Sequence, residues 1–191
     1  SPSRFALEAE YRLEANRVDI IWTVENRDKR DLYAQIGAHP AFQLPDYDPA
    51  DPVHGYVRYL DHEGRPVRPV VVSGLEDGNR VPLPEAVHLP AEMPLTGETF
   101  ARDAWIIEEM QITATELLDK QGKTVLRVDC PQAEAYGIWA PGKPGCPFVC
   151  LEPWCGLCDK LGYTGDISGR TYIHRVAPGE KYVFTYSISV F

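Results

Sequence analysis

Glu152 lies in a sequence context that would make its carboxylate chemically useful. It follows the apolar run at residues 147–151 and is itself followed by Pro153 and Trp154. Because side chains alternate along a strand, Glu152 should share a face with Cys150 and Trp154. Apolar surroundings raise the pKa of a carboxyl group, which suits a general acid or base near neutral pH. The alternative is that Glu152 only marks the end of a buried strand and points to water.

His39 is the second candidate, in the segment Ile36-Gly37-Ala38-His39-Pro40-Ala41-Phe42. Imidazole can donate and accept protons near neutral pH, and His39 lies where a predicted strand gives way to a proline-containing loop. Loops on a rigid scaffold commonly carry catalytic groups. The alternative is a half-buried histidine that is hydrogen-bonded to a backbone carbonyl and has no chemical role.

Four cysteines fall close together, at Cys146, Cys150, Cys155 and Cys158. Their spacing does not give the two paired CxxC knuckles of a structural zinc site, and Cys150 lies in an apolar strand where it would pack as a small hydrophobic residue. A thioredoxin-like motif should open a helix after a strand, and that context is missing. A zinc or thiol module therefore stays as a minor alternative, and we expect neither a metal nor a cofactor.

The elements that must position these residues are short antiparallel strands. Residues 5–13 and 18–24 alternate apolar and polar side chains around a polar turn, which predicts a hairpin with one buried face. Further strands are predicted at residues 32–36, 56–60, 104–109, 111–119, 124–129, 135–139, 148–152, 171–176 and 181–190, with turns at residues 120–123 and 177–180. The proline-rich stretches 40–52 and 74–94 are predicted to be irregular surface loops.

Composition limits the class of protein. The chain has 191 residues, 44% of them hydrophobic, and a formal net charge of -9. The acidic balance disfavours a nucleic-acid partner, and no apolar stretch is long enough for a membrane helix. The odd count of five cysteines suits a reducing, cytoplasmic location. We expect one all-β domain over residues 1–191, an antiparallel β-sandwich or a related large β-sheet fold.

Two segments together resemble aldose 1-epimerases (mutarotases). The segment at residues 36–42, followed by Leu44 and Pro45, is similar to the GHPAF segment of that family, particularly its LacX-like branch. The segment Cys146-Pro147-Phe148-Val149-Cys150-Leu151-Glu152-Pro153-Trp154-Cys155-Gly156, followed by Asp159, is similar to a PFvCiEPWyG..D segment of the same branch. The resemblance extends over essentially the whole chain, in the expected order.

This resemblance implies a galactose mutarotase-like antiparallel β-sandwich (a supersandwich) with an open face that holds a sugar. It makes His39 the general acid for the ring oxygen and Glu152 the general base for the anomeric hydroxyl, on opposite sides of the sugar ring. It aligns Asp103 with a carboxylate that binds sugar hydroxyls, and Trp154 is a candidate wall for the ring. The implied substrate is a hexose or a hexose phosphate, and acid–base chemistry of this kind requires no cofactor.

The resemblance also leaves questions open. Family members carry an earlier portion that nothing in this chain matches, so the sequence resembles the C-terminal part of such a protein and its N-terminal strands are expected to be missing. That N-terminal segment, or a second copy of the chain, stays open as a partner. Cys155 and Cys158 stand where the family often has an aromatic and a small residue. The alternative to an epimerase is a non-catalytic carbohydrate-binding or regulatory sandwich.

Overall fold

The computed structural model describes residues 4–142 and 146–191, and in these ranges the chain is built from β-strands with one short 3-10 turn at Ile167–Gly169. The strands are β1 (Phe5–Glu14), β2 (Arg17–Asn26), β3 (Leu32–Ala34), β4 (Ile36–Gly37), β5 (Ala41–Gln43), β6 (Tyr56–Leu60), β7 (Val70–Glu76), β8 (Asn79–His88), β9 (Glu92–Pro94), β10 (Trp105–Ile107), β11 (Ala114–Leu118), β12 (Thr124–Asp129), β13 (Ala135–Trp139), β14 (Phe148–Cys155), β15 (His174–Val176) and β16 (Lys181–Val190). Within the described ranges there is no helix that could cross a membrane.

The strands form two large antiparallel sheets and one small one. The first sheet has the order β1-β2-β16-β12-β11-β6-β9. The second has the order β4-β14-β13-β10-β7-β8, and β5 also pairs with β14. Strands β15 and β3 form the two-stranded sheet. The predicted antiparallel all-β fold is therefore confirmed, and strands β6, β12, β13 and β16 have the predicted bounds.

The main core lies between the two large sheets. Buried residues of the first sheet, such as Val57, Leu117 and Phe184, pack in one cluster with residues of the second sheet, such as Tyr136 and Leu151. A second, smaller cluster of Ile106, Ala135 and Leu157 lies apart from this core. Because side chains alternate along a strand, the second cluster occupies the outer face of the second sheet, where a ligand can reach it.

The predicted hairpin of β1 and β2 is present, but the expectation of one buried face fails for β1. Its apolar row remains exposed: Leu7 is 51% exposed and Leu13 is 82% exposed. Leu7 pairs with Val24, which is buried. The reason is position, since β1 is the outermost strand of its sheet and no described residue of the opposite sheet covers it.

The stretch 74–94 is not the irregular loop that its prolines predict. Strands β7 and β8 form a hairpin there, joined by Asp77 and Gly78, which both have positive φ angles. Asp-Gly is a favoured pair for a tight hairpin turn. Strand β8 accommodates Pro82 and Pro84 because it is the edge strand of its sheet, where a missing backbone donor is tolerated. Similarly, the short strand β5 interrupts the predicted loop 40–52.

Candidate functional site

A pocket of about 500 Å³ opens on the outer face of the second sheet. Its size lies within the range of small-molecule sites, about 300–1,000 Å³. The residues that line it come from β4, β7, β10 and β14, from the segments on either side of β4, from the β7–β8 turn and from the segment after β14. They are Gln35, Ile36, Gly37, Ala38, His39, Leu75, Gly78, Ile106, Trp154, Gly156, Leu157, Cys158 and Arg170. Two of the four residues singled out from the sequence, His39 and Trp154, are therefore at one pocket.

Two glycines let the Trp154 indole lie flat on the sheet. Trp154 on β14 pairs with Gly37 on β4, and Gly137 lies on the neighbouring strand β13. A Cβ atom at Gly37 would lie 2.7 Å from Cδ1 of Trp154, and a Cβ at Gly137 would overlap the six-membered ring of the indole. The absence of side chains at these two positions makes the space that the indole occupies.

Glu152 is a buried carboxyl group beside this pocket. Its side chain is only 4% exposed, and it does not itself line the pocket. Burial raises the pKa of Glu152 from an ordinary 4.5 to about 7, although interaction with the Trp154 side chain lowers it in part. A carboxyl group with this pKa exists in both protonation states near neutral pH, so it can take up a proton and return it.

His39 lies between the short strands β4 and β5, and backbone hydrogen bonds on both sides of it hold it opposite Glu152. Ala38 donates its backbone N–H to the Pro153 carbonyl at 2.9 Å, and Leu151 donates its N–H to the Pro40 carbonyl at 3.2 Å. The residues on either side of His39 are therefore bonded to the residues on either side of Glu152. Pro40 has no N–H to extend β4, which explains why the strand pairing stops at this point.

The side chains of this pair meet directly. Nε2 of His39 lies 3.4 Å from Oε1 of Glu152. This distance leaves no room for a sugar ring between them, so the expected placement of the two groups on opposite sides of a ring is not what the structure shows. The His39 side chain is 61% exposed and its ring stands edge-on to Trp139, with ring centroids 6.0 Å apart. The imidazole is thus open to solvent while the carboxyl group is not.

Cys150 belongs to the same group of side chains, and sequence reasoning assigned it only to packing. One ligand-type atom each of His39, Cys150 and Glu152 lies within 4.8 Å of the other two. Burial, together with the charge of Glu152, raises the pKa of the Cys150 thiol to about 12, so the thiol stays protonated and uncharged at neutral pH. The sequence does indicate that Cys150 lies beside Glu152, because residues two positions apart on one strand share a face.

Asp103 lies elsewhere. It occupies the turn before β10 with a φ of 84°, and its carboxylate accepts a hydrogen bond from the backbone N–H of Ala104 at 2.8 Å. It lines a separate depression of about 40 Å³ beside Ser73 and Trp105. The structure therefore does not bring Asp103 to the pocket of His39 and Trp154, and it gives the carboxylate a local role in the turn.

Arg170 is a pocket residue that sequence reasoning missed. Its guanidinium donates to Asp159 at 2.8 Å and is 39% exposed. It places a cationic donor group in the same cavity as Trp154 and His39. No local motif in the sequence marks it, because the 3-10 turn at Ile167–Gly169 that precedes it is what carries it to the pocket.

The run of cysteines does not converge on one point. Among the described residues, two sets of three side chains could hold a metal ion, and each contains a single cysteine. The first is the set of His39, Cys150 and Glu152. The second consists of Glu134, Cys155 and His174. A zinc module built on the four cysteines themselves is not formed.

Known proteins resemble this chain at low identity over its whole length. No protein-family model matches it. The chromosomal LacX protein of Lactococcus lactis subsp. lactis is 23% identical over 190 residues, which are 98% of this chain and 62% of LacX, and the plasmid form gives the same values. The chain thus spans less than two thirds of the length of these relatives.

Solved structures match the fold of this chain over its full length. A galactose mutarotase related enzyme from Lactobacillus acidophilus matches with a TM-score of 0.84 at 23% identity, covering all of this chain and 62% of that one. A galactose mutarotase-like protein from Lactobacillus casei ATCC 334 gives 0.81 at 21% identity, covering all of this chain and 64% of that one. The resemblance that the two sequence motifs indicate is therefore confirmed: the chain is similar to LacX and has the galactose mutarotase-like β-sandwich fold.

Proposed function

We propose that this chain contains the catalytic face of an aldose 1-epimerase, which interconverts the α and β anomers of an aldose. The observation that supports this most directly is the contact between His39 and Glu152, at 3.4 Å, beside a pocket with an indole surface. The similarity of the fold to a galactose mutarotase related enzyme from Lactobacillus acidophilus supports an isomerase of this kind. The cytoplasmic location expected from the cysteine count remains a prediction.

The contact fits the reaction because the two oxygens involved are neighbours. The ring oxygen and the anomeric hydroxyl are bonded to the same carbon, so an acid and a base that serve them must lie close together. Protonated His39 donates a proton to the ring oxygen while the Glu152 carboxylate removes the proton of the anomeric hydroxyl. The bond between C1 and the ring oxygen breaks, and the open-chain aldehyde forms without any change in oxidation state.

Ring closure returns both protons. After rotation about the C1–C2 bond, the hydroxyl that was the ring oxygen attacks the aldehyde carbon from the other face. Neutral His39 takes back the proton of that hydroxyl, and protonated Glu152 gives its proton to the aldehyde oxygen. The pKa of about 7 for Glu152 suits this role, because both directions of transfer are then nearly balanced at neutral pH.

Polarimetry of freshly dissolved α-glucose and α-galactose tests the proposal. We expect the purified chain to accelerate the approach to equilibrium, and Glu152→Gln to reduce the acceleration by about 10²–10⁴-fold. A panel that includes hexose phosphates tests the substrate class, and Arg170→Ala tests whether a phosphate lies beside that guanidinium. Equal rates with and without folded protein across the whole panel would contradict the proposal.

One observation favours a second function, a non-catalytic carbohydrate-binding sandwich. Glu152 does not line the pocket, so a sugar could rest on Trp154 without reaching the carboxyl group. Titration calorimetry separates the two functions: binding heats with no acceleration of anomer exchange would support a binding protein. Binding that is accompanied by exchange, and loses only the exchange in Glu152→Gln, would support the epimerase.

A further inference from the structure

A second group of metal-ligating side chains lies outside the pocket. One ligand-type atom each of Glu134, Cys155 and His174 lies within 4.8 Å of the other two. Nε2 of His174 is 3.1 Å from Oε2 of Glu134. Thiolate, imidazole and carboxylate are the three ligand types of protein-bound Zn²⁺, with bonds of about 2.0–2.3 Å. Side chains already this close need only small adjustments to reach a common ion.

The backbone holds the three residues in place. Cys155 is the last residue of β14 and His174 is the first of β15, where it pairs with Ala34. Glu134 immediately precedes β13, and its N–H donates to the Trp154 carbonyl at 2.9 Å. The set is also accessible, because the side chains of Glu134 and His174 are 20% and 26% exposed while Cys155 is buried. An ion can therefore enter from solvent.

The neighbouring groups are those expected around a metal ligand. The ring of Tyr182 stacks on His174 with centroids 4.3 Å apart and an interplanar angle of 16°, which fixes the imidazole. The phenolic oxygen of Tyr182 is buried and lies near the Cys155 thiol, so its O–H can donate to a Cys155 thiolate that binds the ion. Outer groups that orient a histidine ligand are a regular feature of zinc sites.

We propose that Glu134, Cys155 and His174 form a binding site for a divalent transition-metal ion, with Zn²⁺ as the ion that the ligand set suits best. Binding displaces the thiol proton of Cys155, and the ion then connects strands β14 and β15. The role of the ion is structural, because the site lies at Cys155, whose side chain points to the opposite face of β14 from Glu152 and Trp154. This inference does not depend on the proposed epimerase activity.

The same three residue types could instead form a nucleophilic Cys–His–Glu triad, but the hydrogen bonds disfavour it. The Cys155 thiol donates to the backbone carbonyl of Gln132 at 3.1 Å and not to an imidazole nitrogen. An activated nucleophile requires the base to accept its proton. The arrangement therefore favours metal binding over covalent catalysis.

Titration of the chelator-treated chain with Co²⁺ tests the proposal, since a thiolate ligand gives a sulfur-to-cobalt charge-transfer band in the near ultraviolet. We expect one equivalent of Co²⁺ to develop this band, and added Zn²⁺ to remove it by competition. Cys155→Ser should lose the band, and His174→Gln should weaken Co²⁺ binding by about tenfold or more. Circular dichroism establishes that each variant is folded, and His174→Gln is the second variant should Cys155→Ser fail to fold.

Cys150→Ser is the matched control, because Cys150 belongs to the other set of three ligands. The proposal predicts that this variant keeps the charge-transfer band at full intensity. A band that disappears in Cys150→Ser and survives in Cys155→Ser would assign the metal to the His39 set and overturn the proposal. The absence of any band in the unmodified, folded chain would overturn it as well.

Discussion

The two faces of strand β14 place similar residue types in very different surroundings. On the outer face, Glu152 is buried at the edge of an open pocket and meets an imidazole that is 61% exposed. On the inner face, Leu151 packs in the main core and Cys155 lies beside a histidine that Tyr182 holds by stacking. Because neighbouring residues of a strand point to opposite sides, one segment supports both sites. The exposed imidazole of His39 can exchange protons with solvent, which favours proton transfer. The imidazole of His174 is held by stacking, which favours binding of a metal ion.

The largest effect that separates the two faces should come from Glu152→Gln. Removing a general base costs about 10²–10⁴ in rate, so we expect kcat/KM for anomer interconversion to fall by that factor. Leu151→Met is the control on the inner face, since a volume-conserving core change costs less than about 1.5 kcal/mol in stability. The comparison fails if polarimetry shows equal losses in the two variants.

The same variant should change the pH dependence of stability. Folding raises the pKa of Glu152 from 4.5 to about 7, because the buried site favours the protonated carboxyl group. The contribution of this group to the free energy of unfolding is therefore fully present below pH 4.5 and is lost as the pH rises through 7. We expect Glu152→Gln to be more stable than the unmodified chain by about 3 kcal/mol at pH 8, with little difference at pH 4.5. Urea denaturation at the two pH values measures this, and an equal difference at both would show that the carboxyl group is not desolvated.

His39→Asn should affect activity without affecting stability. The side chain is largely exposed, so we expect the free energy of unfolding to change by less than about 0.5 kcal/mol. The rate should fall by about a hundredfold, the lower end of the range for acid–base catalysis, because water can donate a proton at an exposed position. Thermal unfolding and exchange kinetics on the same sample check both parts. A large drop in melting temperature would instead assign His39 a structural role.

Gly137→Ala changes the wall of the pocket and should give the smallest of these effects on activity, because it removes no catalytic group. The new methyl group overlaps the Trp154 indole, and overpacking of this kind costs about 1–3 kcal/mol. We expect the indole to shift and sugar binding to weaken, as measured by quenching of tryptophan fluorescence. Gly97→Ala is the control, because an added Cβ there meets no atom within 4 Å. Unchanged binding in Gly137→Ala would remove Trp154 from the sugar site.

The sequence predicts the strands best where alternation is regular and polar turns bound it. Strands β12, β13 and β16 have the predicted bounds for this reason. Strand β8 was missed because prolines normally argue against a strand, and only its edge position in the sheet permits them. The exposed face of β1 was missed because an apolar pattern shows which face could be buried but not whether another layer covers it.

The sequence proposes residues for the candidate site but does not give their geometry. His39 and Glu152 were identified from their sequence surroundings, but their contact depends on the pairing of β4 and β5 with β14, which no local pattern encodes. Asp103 shows the limit of a resemblance carried by a loose alignment, since the turn before β10 directs it elsewhere. The set of Glu134, Cys155 and His174 requires β14, β15 and the turn before β13 to come together, so only the fold reveals it.

The pH dependence of anomer exchange tests the central claim most directly. Exchange NMR on an equilibrated aldose gives kcat/KM for the unmodified chain at each pH. This quantity reports the ionisation of Glu152 in the protein without bound sugar. We predict a limb that rises with pH and has a midpoint near 7, the pKa of the buried carboxyl group, and that is absent in Glu152→Gln. Exchange at the uncatalysed rate at every pH, or a limb with its midpoint near 4.5, would contradict the account.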